Sequence, residues 1–177
     1  MKTKNLFALL LTLGSTAVFA EPPPPVISES IPDDAVNPNF TIEMACQKGY
    51  SEGTDADGNA VRNVAPAVHR DVYKSAGVVE GTNPDQCVNG KGGAYEVDHR
   101  ISLMIGGTNN RSNLTLQEYC GDHNAHQKDV LELYVRNVAL CKEHSVTLRQ
   151  AQEMLYLNWA KTYDELLAAG KIKAPKK

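Results

Sequence analysis

The sequence lacks several features, and each absence excludes a class of protein. After residue 20 it has no apolar run long enough to cross a bilayer, which excludes a multispanning membrane protein. It has no excess of positive charge, because 18 basic residues face 21 acidic ones, and this excludes a basic nucleic-acid coat. Aromatic residues are scarce at 6%, but 42% hydrophobic residues are too many for a chain disordered throughout. The 177 residues suit one domain.

The N-terminus has the pattern of a secretory signal peptide. Lys2 and Lys4 precede an uncharged run over residues 6–20 that ends at the small residue Ala20. That run is too short to span a membrane comfortably, so we expect cleavage after Ala20 rather than an uncleaved anchor. The exported chain then keeps sixteen basic and twenty-one acidic residues, a net charge of −5. We expect a periplasmic or secreted protein with no stable membrane insertion.

Export changes how the four cysteines are interpreted. None belongs to a Cys-x-x-Cys pair, and an even number in an oxidising compartment favours two disulfides over a zinc–thiolate site. Spacing alone leaves all three pairings open. The cysteines are Cys46, Cys87, Cys120 and Cys141.

Composition divides the chain into four regions. Residues 1–20 are the predicted signal peptide, and residues 21–40 form a proline-rich flexible leader. Residues 41–170 form one folded domain, and residues 171–177 are a basic tail.

Apolar spacing predicts a mixed α+β domain. A short helix begins at Pro66 and is closed by Gly77. A strand over residues 95–103 and a return strand over residues 114–119 flank a glycine-rich turn at residues 106–110. The central part of the domain is therefore predicted to be a β-hairpin.

Two helices are predicted after the hairpin. The first starts near Asn124, and the second begins at a capping box of Thr147 and Gln150 and ends at Gly170. An apolar stripe along the second helix indicates core packing rather than a cofactor site. Its members are Leu148, Ala151, Leu155, Trp159 and Tyr163.

Three of the five histidines fall in the hairpin and the helix start. Asp98 and His99 are adjacent on the first strand, and His123 and His126 flank the start of the helix. A carboxylate and imidazoles at one place suit magnesium, manganese, zinc or nickel. An unligated His99 would take a proton from water near pH 7. The alternative is that these are surface histidines on a small fold.

The same segment resembles the HNH nuclease family. The matching run is YEVDHRISLMIGGTNNRSNL, with the Asp-His doublet at 98–99, the Gly-Gly turn at 106–107 and Asn-Leu at 113–114. A helix with Asn-Ala-His and Lys-Asp follows. The resemblance covers roughly residues 44–165 and points to an exported bacterial branch of the family. It implies a ββα-metal core, in which a hairpin and a helix hold one divalent ion, with additional flanking helices.

The resemblance assigns roles to three residues. Asp98 would bind the metal, and His99 would be the general base that activates water. Asn113 would hold the connecting loop and orient His99. Neighbours on a regular strand point to opposite faces, so a bulge or the end of the strand must bring Asp98 and His99 to one site.

The third metal position departs from the family pattern. The family often has Cys-His followed three residues later by Lys, and measured back from Lys128 that slot is Ala125. The replacements are His126, which we favour, then His123, with Asn124 as a further candidate. Magnesium is the first choice of ion, with manganese, zinc and nickel as alternatives.

Positive side chains near the motif are candidates for binding the substrate, and the resemblance also implies a disulfide pairing. The expected phosphate contacts are Arg100, Arg111 and Lys128, for which simple solvation is the alternative. The implied disulfides are Cys46–Cys141 and Cys87–Cys120.

Together these features predict an exported, metal-dependent endonuclease with a small, disulfide-stapled α+β domain. It would hydrolyse phosphodiester bonds with little sequence preference, and the family favours DNA over RNA. The alternative is an inactive exported protein of the same fold that binds metal or nucleic acid, since a charge of −5 is unusual for a nucleic-acid binder. The sequence leaves open whether an inhibitor protein binds it.

Overall fold

The computed structural model describes residues 30–47, 62–80 and 95–175. Within them, the chain forms helices and one two-stranded antiparallel sheet, which confirms the predicted α+β class. The helices are α1 (Ile42–Cys46), α2 (Pro66–Ser75), α3 (Ala125–Tyr134), α4 (Leu148–Tyr156) and α5 (Trp159–Ala168), and the strands are β1 (Tyr95–His99) and β2 (Leu114–Glu118).

Some predictions fall outside the described residues. They concern the signal peptide, the leader up to residue 29, Cys87 and the last two residues of the basic tail. No helix in the described part of the chain is long and apolar enough to cross a membrane.

The hairpin pairs Tyr95 with Glu118 and His99 with Leu114. Strand β1 ends at His99, four residues earlier than predicted. Beyond that point the buried side chain of Asn113 makes the backbone hydrogen bonds that a neighbouring strand would otherwise make. Its Oδ1 accepts from the backbone N–H of Ile101 at 2.8 Å, and its Nδ2 donates to the Ile101 carbonyl at 3.0 Å. The backbone can then leave the sheet without unpaired polar groups.

Helix α2 is the short helix that the apolar spacing predicted, and it packs against both strands of the sheet. Pro66 occupies the first turn, and Gly77 beyond the helix end adopts a left-handed conformation with φ 70°. Val72 and Tyr73 are buried, and the Tyr73 hydroxyl donates to the Tyr95 carbonyl at 3.2 Å. This contact fixes α2 at the start of β1.

Helix α3 starts where the sequence predicted. The Asn124 side chain accepts from the Gln127 N–H, and the Gln127 side chain accepts from the Asn124 N–H, so both halves of a capping box are present. The helix continues into a π-helical segment, Val135–Leu140. Its buried face, which includes Lys128, is directed towards the hairpin.

The predicted last helix is two helices. Thr147 and Gln150 form the expected capping box of α4, but the helix breaks at Leu157 and Asn158, where Asn158 adopts φ −160° and ψ 49°. Helix α5 then begins as a new helix. The apolar stripe nevertheless packs into the core, as predicted, with Ala151, Leu155 and Tyr163 buried.

The N-terminal segment contributes to the domain. Val36 forms an antiparallel bridge with Gly107, and the Asn37 N–H donates to the Gly106 carbonyl at 2.8 Å. Residues 31–40 lie in the predicted leader, and their apolar side chains join the core. That core includes Ile31, Ala35, Phe40, Ile101, Ile105, Leu131, Val135, Leu140, Leu155 and Tyr163.

A disulfide joins Cys46 to Cys141 across 95 residues of sequence, which confirms the pairing that the resemblance implied. It ties α1 to the end of the π-helical segment. Cys120 is also disulfide-bonded. Cys87, its predicted partner, lies outside the described residues.

Candidate active site

His99 is the last residue of β1 and is only 2% exposed. Its Nε2 lies 2.9 Å from Oδ1 of Asn109, which is presented by the loop after Gly107. Its Nδ1 is buried and has no hydrogen-bond partner in the described part of the chain. A buried, unpaired nitrogen is uncommon in proteins, and this makes His99 the first candidate for a functional group.

The contact with Asn109 determines which nitrogen of His99 carries the proton. An amide oxygen only accepts, so Nε2 must donate to it. The neutral ring then has its lone pair on Nδ1. The nitrogen without a partner is therefore the basic one.

Burial lowers the pKa of His99 below its usual 6.5. The hydrogen bond that the His99 ring donates to Asn109 opposes this shift, and the charge of Arg62 adds to it. The imidazole is therefore neutral at pH 7, which is the state that a general base requires.

Asn113 holds the loop that carries Asn109. It is fully buried, and besides its two bonds to Ile101 it donates to the Thr108 carbonyl at 2.9 Å. Gly107 lies against the same group, and a Cβ atom there would overlap the Ile101 carbonyl oxygen. The contact of Asn113 with His99 is thus indirect, through the loop and Asn109.

Asp98 reaches the site because the strand ends at the next residue. Its Oδ1 accepts from the backbone N–H of His99 at 2.7 Å, and its Oδ2 lies 2.7 Å from Nζ of Lys128. Both carboxylate oxygens are therefore engaged by the protein itself. The sequence allowed two ways to bring Asp98 and His99 to one site, a bulge or the end of the strand, and the structure shows the end of the strand.

Lys128 is in no position to contact a phosphate, contrary to the expectation. It is 1% exposed, and its ammonium donates to the His99 carbonyl at 2.7 Å and contacts Glu132 at 2.5 Å as well as Asp98. Lys128 lies on the buried face of α3, which contacts the end of β1.

Burial and the ion pairs together shift the pKa values of Lys128 and Glu132. Burial alone would lower the pKa of Lys128, but the carboxylates of Glu132 and Asp98 raise it well above its usual value. Burial raises the pKa of Glu132, against the attraction of Lys128 and a hydrogen bond from Ser102. The lysine is therefore charged at neutral pH.

The histidines at the start of the helix do not join Asp98. His123 adopts a left-handed conformation with φ 57°, and its Nε2 lies 2.9 Å from Oδ2 of Asp164 on α5. His126 is exposed, with its ring 5.6 Å from that of Tyr119. In the described ranges no group of three or more His, Cys, Asp or Glu residues could hold a metal ion. The residues predicted as metal ligands thus do not fit a divalent ion, and its presence stays a prediction.

A group of carboxylates beside the site was not predicted. Glu96 accepts from the Tyr119 hydroxyl at 2.6 Å. Burial raises the pKa of Glu96 and of Asp129, and the negative charge of Asp98 raises both further. Asp129 belongs to the Lys-Asp pair of the resemblance, and Glu96 lies two positions before Asp98, but neither was assigned a role in the site.

Arg100 and Arg111 line one cavity of about 320 Å³ between α2 and β2. The Arg100 guanidinium lies 3.8 Å from the ring centre of Tyr156, and Arg111 donates to Asp71 at 2.8 Å. The other residues that line the cavity are Val72, Ser75, Ala76 and residues 114–116. The two predicted phosphate contacts are therefore brought together, each with an intramolecular partner.

Two further residues at the site were missed. Asn109 fixes the tautomer of His99, and exposed Arg62 is close enough to lower the His99 pKa. Asn109 follows the Gly-Gly turn inside the matching run, and Arg62 lies within the span that the resemblance covers, but neither residue was assigned a role from the sequence.

No family model, no curated protein and no solved structure matches the chain.

Proposed function

We propose that the protein is an exported endonuclease of the HNH type, which hydrolyses phosphodiester bonds of nucleic acid with His99 as the general base. The observation that carries the proposal is the state of the His99 ring. It is buried and neutral, held through Nε2 by Asn109, with its lone pair on an unpaired Nδ1. The sequence resemblance supplies the reaction class, and it favours DNA as substrate.

The chemistry follows from that ring. The lone pair of Nδ1 takes a proton from water as the water oxygen attacks phosphorus and the bond to the leaving oxygen breaks. Because Nδ1 is covered in the protein alone, substrate binding must admit water to it. Asn109 keeps the second nitrogen protonated and the ring fixed during the transfer.

Cationic side chains support binding of a nucleic-acid backbone. Arg100 and Arg111 share one cavity, and exposed Arg62 acts electrostatically on His99. Contacts to phosphate position a nucleic acid without reading its bases, so we expect cleavage with little sequence preference. The disulfide supports export, because such bonds persist in oxidising compartments.

The test is nicking of supercoiled plasmid by the disulfide-bonded protein, with magnesium, manganese, zinc, nickel or a chelator. We expect nicking by the wild type, and a rate about 10²–10⁴-fold lower for His99→Ala. His69→Ala is the matched control, because this histidine lies on α2 and pairs with Glu80. Nicking by His99→Ala at the rate of the control would reject His99 as the base.

The alternative function is an inactive protein of the same type that binds nucleic acid. The pairing of Asp98 with Lys128 and the separation of the predicted metal ligands favour it. A folded wild-type protein that retards DNA in a gel but cleaves under none of these conditions would identify this alternative.

A further inference from the structure

We propose that Lys128 is the resident cation of this site: its ammonium occupies the position at which Asp98 would otherwise bind a divalent metal ion, and thereby excludes such an ion from Asp98. The inference rests on the proposed function only for the role expected of Asp98. Its test requires no cleavage.

Three oxygens converge on the Lys128 ammonium. They are Oδ2 of Asp98 and the backbone carbonyl of His99, each at 2.7 Å, and Oε1 of Glu132 at 2.5 Å. Two carboxylates and a carbonyl are the donor set that hard divalent cations take. The protein therefore builds a cation site here and fills it with its own side chain.

Charge and burial make this cation difficult to displace. Lys128 is almost completely buried, and the side chains of Asp98 and Glu132 are mostly buried. A metal ion entering between the carboxylates would deprive the ammonium of both ion pairs and leave it buried beside a second positive charge. An ion at Asp98 must therefore expel Lys128 from the core.

The surrounding bonds fix the lysine further. Lys128 and Glu132 are one turn apart on α3, whereas Asp98 lies on β1, so the ammonium bridges the helix and the hairpin. The second Asp98 oxygen already accepts from the His99 N–H, and Ser102 donates to Glu132. The carboxylates of Asp98 and Glu132 therefore each accept a further hydrogen bond from the protein besides their contact with Lys128.

Manganese binding tests the proposal directly. The loss of the free Mn²⁺ signal in electron paramagnetic resonance would be measured for the disulfide-bonded wild type, Asp98→Asn, Lys128→Ala and the double variant. We expect the wild type and Asp98→Asn to bind Mn²⁺ equally. Lys128→Ala should bind one additional ion, at least about tenfold more tightly than any wild-type site, and the double variant should lose it.

Two results would overturn the proposal. One is wild-type Mn²⁺ binding that disappears in Asp98→Asn, and the other is a folded Lys128→Ala protein that gains no ion.

A second measurement needs no variant, which matters because Lys128→Ala leaves two buried carboxylates without a cation. Acetylation of the wild-type lysines, read by mass spectrometry, should leave Lys128 unmodified with or without Mn²⁺, while exposed Lys161 reacts in both. Modification of Lys128 on addition of Mn²⁺ would show that the metal displaces it, against the proposal. Neither readout depends on cleavage, so the failure of the proposed nuclease activity and the failure of this inference are distinguishable.

Discussion

At the scale of single residues, the proposed chemistry depends on the ring of His99 and on the contacts that hold it. Asn109 occupies Nε2, and burial keeps the ring neutral. Because its pKa is lowered in the folded state, neutral His99 contributes stability that is fully present above pH 6.5 and is lost as the pH falls through the lower, folded-state pKa.

The pH dependence of cleavage should report this residue. For the wild type we expect the acid limb of kcat/KM to lie below pH 6.5, since only neutral His99 accepts a proton. Asn109→Asp places a carboxylate at Nε2, which stabilises the imidazolium, so the acid limb should move to higher pH. If the acid limb of kcat/KM lies at the same pH in Asn109→Asp as in the wild type, His99 is not the group that titrates in this limb.

Asn113 should matter for stability more than any exposed asparagine. Asn113→Ala leaves the backbone N–H and C=O of Ile101 and the carbonyl of Thr108 without their buried partner. We expect a loss of about 3–5 kcal/mol in the free energy of unfolding. Urea denaturation measures it, with Asn39→Ala as the exposed control. Equal losses in both variants would contradict the role of Asn113.

The sequence predicted some of these residues and missed others for a physical reason. Asp98, His99 and Asn113 were found because a short motif specifies the end of a strand and the loop after it. The contact of Lys128 with Asp98 joins residues on two elements and depends on how α3 packs against β1. A short sequence motif carries no information about how two elements pack, so Lys128 was expected at the surface, as a phosphate contact.

At the scale of elements, local signals located most boundaries. The start of α4 was predicted from its capping residues, which act over one helical turn, and α3 starts where the sequence placed it, near Asn124. The break between α4 and α5 was missed because residues 156–159 contain neither proline nor glycine and the apolar stripe continues across them. The end of β1 was missed because the side chain of Asn113, fourteen residues further on, determines it.

The capping box of α4 gives a prediction at this scale. The Thr147 hydroxyl accepts from the Gln150 N–H at 3.2 Å, and Thr147→Ala removes it. We expect the protein to lose about 1 kcal/mol of stability. Thr147→Ser keeps the hydroxyl and serves as the control in thermal denaturation; a loss of the same size in both variants would assign the effect to the methyl group instead.

At the scale of the whole molecule, one covalent link joins distant parts of the chain. Cys46 and Cys141 are 95 residues apart in sequence, and α1 and the π-helical segment that they connect both pack into the core. The link therefore restricts the unfolded chain over most of the domain.

Removing that link should be costly. In the chain-entropy model, Cys46→Ser/Cys141→Ser lowers the free energy of unfolding by about 4–5 kcal/mol. Urea denaturation under oxidising conditions, with the disulfide of Cys120 retained, measures the difference. A loss below about 1 kcal/mol would mean that the packing of α1 alone closes this loop.

The most direct measurement for the central claim is the rate of plasmid nicking by His99→Ala with and without added imidazole. We expect nicking near background without imidazole, and a rate that rises with the imidazole concentration as the free base replaces the lost ring beside Asn109. His99→Ala protein that nicks as fast as the wild type in the absence of imidazole would contradict the claim that His99 is the base.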